Sequence, residues 1–191
     1  MPILQTVSED SAEKDVRRIF DEIKREKRLP FVPNFFKTLA NAPQSLEATW
    51  TAYRDISTRG SLPEALKEMI FVAISFARSC TYCESAHLAF CSLLGVELKT
   101  LKILTEQLEL LRPERTRDIV QFSVKCALEP RNVGPSDFML LRKHGMTDGE
   151  IVETISMCGF AMYATTVADV LKLDIDREVL SVLHPLSKEP S

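Results

Sequence analysis

Several signatures are missing from this 191-residue chain, and each absence removes a class of function. It has only six glycines, and no glycine-rich loop of the kind that cradles phosphates. No segment alternates apolar and polar residues between turn signals, which argues against strands. Basic and aromatic residues do not interleave, and a formal net charge of −3 gives no general electrostatic reason to bind nucleic acid or an anionic membrane surface. The opening stretch MPILQTVSEDSAEKD lacks a basic segment followed by a long apolar one, so no secretory signal is expected. The most apolar windows, 69–77 and 151–170, are interrupted by polar residues and do not read as membrane spans. A cytoplasmic protein is the expectation, with no nucleic-acid or membrane partner.

What remains is ordinary in composition, 45% apolar and 27% charged, and long enough to bury one substantial core. The pattern is helical throughout, and the expected fold is an all-α, single-domain bundle that assembles into a homo-oligomer. Residues 1–42 read as an N-terminal helix and a Pro/Phe arm. Residues 43–175 read as the core, and 176–191 as a short C-terminal helix and tail, fraying over 185–191. Val16, Ile19, Phe20 and Ile23 share one helical stripe, ending in a basic run at 24–28 that complements the helix dipole. Pro30 and Pro33 predict an extended connector. Its Phe31, Val32, Phe35 and Phe36 are too apolar for a free linker and are expected to tuck onto the core or a neighbouring subunit. The predicted oligomer uses this arm.

A helix starts near Pro43, carries Leu46, Trp50, Tyr53 and Ile56, and stops at Gly60. Ser61-Leu-Pro-Glu64 spells a capping box that launches a helix over 63–78. Helices over 81–94, 96–111, 113–127 and 136–143 follow. Thr147-Asp-Gly-Glu150 is a second capping box, opening a long apolar helix to about residue 171.

Chemistry concentrates between Glu68 and His87. Five cysteines without a signal peptide point to a reducing compartment, where a close pair does redox or metal work rather than stapling. Cys91, Cys126 and Cys158 lie in apolar surroundings and read as small core residues. Cys80 and Cys83 form a Cys-x-x-Cys pair at a helix N-terminus, where unpaired amides favour a thiolate. This spacing lets the two sulfurs close a disulfide. His87, one turn after Cys83, is placed to take the thiol proton. In one straight helix Glu68 and Cys80 would be about 18 Å apart. A chain that turns back near Ser79 instead brings Glu68 level with the turn 87–91, where it orients the imidazole. A zinc site of Cys80, Cys83, His87 and Cys91 is excluded because Cys83 and Cys91 lie about 12 Å apart along one helix. Glu68 in place of Cys91 would keep a metal open as a rival. A non-enzymatic oligomer with oxidant-sensing thiols is another. His144 reads as a cation at a helix end, and His184 as solvated.

The pattern Glu68, eleven residues, Cys80-x-x-Cys83, three residues, His87 resembles the signature of the alkyl hydroperoxidase D family, within the carboxymuconolactone decarboxylase-like group. LPFVPNFF and LRKHGMTDGEIVETI are also similar to parts of that group. The resemblance implies an all-helical trimer or hexamer that reduces hydroperoxides with a dithiol, regenerated by a thiol or lipoylated protein. It needs no separate cofactor. It implies that Cys83 attacks the peroxide, linked to Glu68 through His87, and that Cys80 resolves it and meets the reductant. The dipole argument alone makes Cys80 the more acidic thiol. Some members carry a second histidine between the cysteines, where this chain has Thr81 and Tyr82. The decarboxylases of the group lack the dithiol.

Overall fold

Amphipathic spacing closes into helices along nearly the whole chain. A computed structural model describes residues 3–184, and among these there are ten α-helices and no β-strand. The fraying expected of 185–191 lies outside the described residues. Helix α1 (Lys14–Lys27) buries Val16, Ile19, Phe20 and Ile23, and ends as Arg28 turns into the left-handed region at φ 53°. The Pro connector is shorter than the sequence predicts, because α2 (Asn34–Leu39) begins directly after Pro33. A proline fixes its own φ and restrains the residue before it, and leaves those after it free to wind. Phe35 and Phe36 meet edge to face at 5.2 Å, and Phe36 meets Trp50 at 5.7 Å. Phe31, Val32, Phe35 and Phe36 are all buried in the chain's own fold. These four residues of the arm therefore tuck onto the chain's own core.

Helix α3 (Pro43–Tyr53) widens into a π turn over Arg54–Thr58, and the chain reverses at Gly60, φ 97°. The expected box at Ser61 does not form: α4 (Glu64–Ala77) has Pro63 at its N-cap and no side-chain cap. Starting one residue later leaves Ser61 out of reach. Glu153 from the far end of the chain instead accepts the Ser61 and Leu62 amides, at 2.7 and 3.1 Å, and pairs with buried Lys67 at 3.2 Å.

Ser79, at φ 58°, reverses the chain into α5 (Thr81–Leu93), and α4 packs along α5 as the predicted hairpin. The run 96–111 divides into α6 (Leu98–Glu106) and a 3₁₀ turn at Leu108–Leu110. Next come α7 (Glu114–Leu128), α8 (Pro135–Lys143), α9 (Asp148–Leu171) and α10 (Arg177–Leu183). His144 ends α8 and bonds Asp118 at 2.7 Å. The second capping box forms as written: Thr147 Oγ1 accepts the Glu150 amide at 3.2 Å, and Glu150 Oε2 accepts the Thr147 amide at 2.8 Å. Helix α4, buried on most faces, is central and contacts α5, α6, α7 and α9. By length and composition α9 is apolar enough to cross a bilayer, contrary to the reading from its polar interruptions. Half of its most apolar window is buried within the bundle.

Candidate active site

The hairpin brings Glu68 to His87. Glu68 Oε2 accepts a hydrogen bond from His87 Nδ1, and both residues are buried, at 2% and 6% exposure. The His87 ring is fixed on two further sides, stacked on Phe71 at 3.5 Å and met edge-on by Phe90 at 5.5 Å. The sequence did not reveal the other partner of Glu68, Lys27 from α1. Its Nζ lies 2.9 Å from Glu68 Oε1 and 3.2 Å from Glu64 Oε1. The Lys27 ammonium sits 4.9 Å from the Phe90 ring centre and 5.2 Å from that of Tyr53, in cation–π geometry. Tyr53 Oη also donates to Glu68, at 3.4 Å.

Burial alone would raise the Glu68 pKa. The Lys27 charge first, and His87 second, outweigh it and hold the carboxyl at about 2. Lys27 in turn is driven well above the ordinary lysine range: burial opposes its charge, and the Glu68 carboxylate overrides that opposition. Glu68 is thus a fixed anion behind the imidazole. A signal for Lys27 was present in the sequence: Val16, Ile19–Phe20, Ile23 and Lys27 are spaced by three and four, so Lys27 continues the buried stripe of α1.

Cys80 is the N-cap of α5 and Cys83 lies in its first turn. The neighbouring Cys80 thiol first, and burial next, push the Cys83 thiol up. The pair therefore favours one thiolate over two. Cys80 is fully buried, with its Sγ 3.9 Å from the Thr165 carbonyl oxygen. Cys83 instead lines a cavity of about 40 Å³ together with His87, Tyr82, Phe71, Phe90 and Phe160. The cavity wall is almost wholly apolar and rich in aromatic rings. The thiol expected to meet a reductant, Cys80, is thus the sealed one, and the thiol expected to attack is the one at the cavity.

Tyr82, between the two cysteines, is bonded to α2 and to the segment before α10. Its hydroxyl donates to Asp176 Oδ2 at 2.9 Å and accepts the Phe35 amide at 2.9 Å. Asp176 Oδ1 accepts the Asn34 amide at 2.8 Å. Among the described residues, no three of His, Cys, Asp or Glu are grouped to hold a metal ion.

Comparison with known proteins bears on the fold that carries this arrangement. Residues 43–108, which span the hairpin, match the model of the carboxymuconolactone decarboxylase family. The fold superposes on an alkylhydroperoxidase AhpD core structure, an uncharacterised peroxidase-related protein from Ralstonia eutropha JMP134. The TM-score is 0.86 at 25% identity, over 93% of this chain and 94% of that one. These findings support an AhpD/carboxymuconolactone decarboxylase-like family. An uncharacterised peroxidase-related protein from Silicibacter sp. TM1040 has the same fold, with TM-score 0.84, 24% identity, and coverage of 93% and 94%. So does the debrominase Bmp8, solved with 2,3,4-tribromopyrrole, with TM-score 0.82, 15% identity, and coverage of 97% and 98%. A search of curated proteins gives no match. Within this family fold, the Lys27 and Asp176 contacts come from segments outside the matched region 43–108.

Proposed function

We propose that the chain is a thiol-dependent reductase of organic hydroperoxides. In this reading Cys83 is the attacking thiol, His87 and Glu68 are its proton relay, and Cys80 is the resolving thiol. The observation that carries it is the shared cavity: Cys83 and His87 open onto one apolar chamber, with Cys80 buried at the N-cap of the same helix. A thiol whose pKa is raised needs a base at the moment of attack. His87, one turn along α5, takes the Cys83 proton as Sγ attacks the terminal peroxide oxygen. The O–O bond breaks, the alkoxide leaves with the proton from His87, and Cys83 becomes a sulfenic acid. Cys80 Sγ then attacks that sulfur, water leaves, and a disulfide joins the pair. The fixed Glu68 anion stabilises the imidazolium between the two proton transfers.

A thiol or lipoylated protein restores the dithiol by exchange. With Cys80 buried, exchange through the cavity meets Cys83 first. The chain works as a homo-oligomer in the cytoplasm on this reading.

Single-turnover reaction with cumene hydroperoxide, with thiol counting, tests the assignment. Wild type should lose two thiols per peroxide, Cys80→Ser should stall as a sulfenic acid at Cys83, and Cys83→Ser should be inert. A stalled sulfenic acid at Cys80 in Cys83→Ser would reverse the roles.

The aromatic box also supports a second reading, reductive dehalogenation of a compact ring, since a dithiol supplies the two electrons that replace carbon–halogen by carbon–hydrogen. Bromide release from a bromopyrrole with no peroxide consumption would select it. A decarboxylase activity would survive loss of both sulfurs.

A further inference from the structure

One buried hydroxyl near the Cys-x-x-Cys motif makes no hydrogen bond. Ser75, in the last turn of α4, is fully buried, and its Oγ has no partner among the described residues. Comparable side chains behave otherwise. Ser123, Thr154 and Thr165 are equally buried helical hydroxyls, and each donates to the carbonyl four residues back, at 2.8, 2.9 and 2.8 Å. That local bond is the ordinary way for a helical hydroxyl to be satisfied, and a buried one left without any partner destabilises the fold.

The hairpin fixes where Ser75 stands. Glu68 bonds His87 and Phe71 stacks on it, so both face α5. At about 100° per residue, Ser75 lies about 20° from Glu68 and about 40° from Phe71 around the α4 axis, between the two. Along that axis Ser75 is one turn beyond Phe71 toward the bend at Ser79. Cys83 is one turn before His87, toward the same bend. In an antiparallel hairpin these steps run together, so Ser75 comes level with Cys83. The Ser75 carbonyl also accepts the Cys80 amide at 2.9 Å, which holds this end of α4 on the motif.

Other polar groups around the thiol are committed. The Tyr82 hydroxyl serves Asp176 and the Phe35 amide. Tyr53 and Lys27 both serve Glu68, which also takes His87 Nδ1. The far nitrogen of His87 carries a proton to the leaving alkoxide in the reaction derived above. Ser75 is thus a donor without an acceptor while Cys83 is a thiol, and oxidation places an oxygen on that sulfur.

Resting on the reading in which Cys83 attacks a peroxide, we propose that Ser75 is a further catalytic residue, whose Oγ–H donates a hydrogen bond to the oxygen that passes from peroxide to Cys83. The Cys83 sulfur supplies the electron pair that breaks the O–O bond, an S–O bond forms, and the alkoxide leaves with the proton from His87. Ser75 keeps its own proton throughout and stabilises the oxygen in transit and in the sulfenic acid. When Cys80 closes the disulfide, that oxygen departs as water with the Cys80 proton, and Ser75 is again without an acceptor. The cost of an unpaired hydroxyl is thus borne by the resting protein and relieved as oxygen arrives.

The test compares two reagents at one thiol, in full-length Cys80→Ser, with peptide mapping to follow Cys83. Hydrogen peroxide brings an oxygen to the sulfur, and iodoacetamide does not. Adding Ser75→Ala should slow sulfenic-acid formation at Cys83 at least tenfold and leave its alkylation rate within twofold. The added substitution should not lower the melting temperature, since it removes an unpaired hydroxyl and breaks no bond. Equal peroxide rates with and without Ser75, or equal slowing with both reagents, would overturn the proposal and leave the peroxidase reading standing. If Cys80→Ser forms no sulfenic acid with hydrogen peroxide or cumene hydroperoxide, that reading falls and the role of Ser75 falls with it. Should Cys80→Ser fail to fold, Ser75→Ala in the otherwise wild-type chain gives the same comparison, from disulfide formation against alkylation of Cys83.

Discussion

Glu68 and Lys27 show how two buried charges divide the work of holding one imidazole. Each is costly alone, because an ion without a countercharge in a low-dielectric interior loses its hydration for nothing. Lys27→Met should therefore destabilise the protein by about 3–5 kcal/mol, the range for breaking a buried pair. Lys27→Met/Glu68→Gln should recover part of that loss, and denaturant midpoints measure both. The Glu68 carboxyl also sets an acid limit. Its folded pKa of about 2 lies below the ordinary 4.5. Its contribution is complete above pH 4.5 and is lost as pH falls from 4.5 toward 2. An acid titration followed by circular dichroism should show Glu68→Gln less sensitive than wild type across that window. Without Lys27 the carboxyl pKa rises, so the acid limb of thiol reactivity in Lys27→Met should move to higher pH. The pairing of Glu68 with His87 was legible in the sequence because both sit on one hairpin, and a buried glutamate needs a partner. Lys27 was missed because its basic run looked like dipole compensation, and its partner is 41 positions away.

The same capping motif occurs twice with different results, which shows what element-scale sequence signals determine. Thr147 closes its box with Glu150. Ser61 closes none, because the proline between it and Glu64 becomes the N-cap itself and Glu153 takes the free amides. Thr147→Ala should cost about 1 kcal/mol, a fall of roughly 2–4 °C in melting temperature for a chain of this size. Ser61→Ala should leave the melting temperature unchanged, because the bond made there uses the backbone. Calorimetry on the two variants separates them. Helix ends marked by Gly60, Gly95, Gly145 and the prolines were readable, since those residues act through their own backbone geometry. The break at Gln107 and the π turn at Arg54–Thr58 carry no such residue. Helix α2 was hidden by prolines that stop short of it.

At the scale of the molecule, α10 and the segment before it act as a strap across α5. Val179 packs with Leu29, Phe31, Ala89 and Phe90, and Asp176 bonds both Tyr82 and the start of α2. Tyr82→Phe would leave the Phe35 amide and the Asp176 carboxylate each short of a partner, at a cost of about 1–3 kcal/mol. Hydrogen exchange should then speed up in α2 and α10, with α7 unchanged. Equal acceleration throughout would mean that the tie supports the whole bundle rather than the strap. The tie joins residues 34, 82 and 176 of a 191-residue chain, and this has a consequence for synthesis. The ribosome delivers both thiols of the Cys-x-x-Cys motif long before the aspartate that fastens their turn. While the residues between Cys83 and Asp176 are being made, the dithiol is present without its clasp.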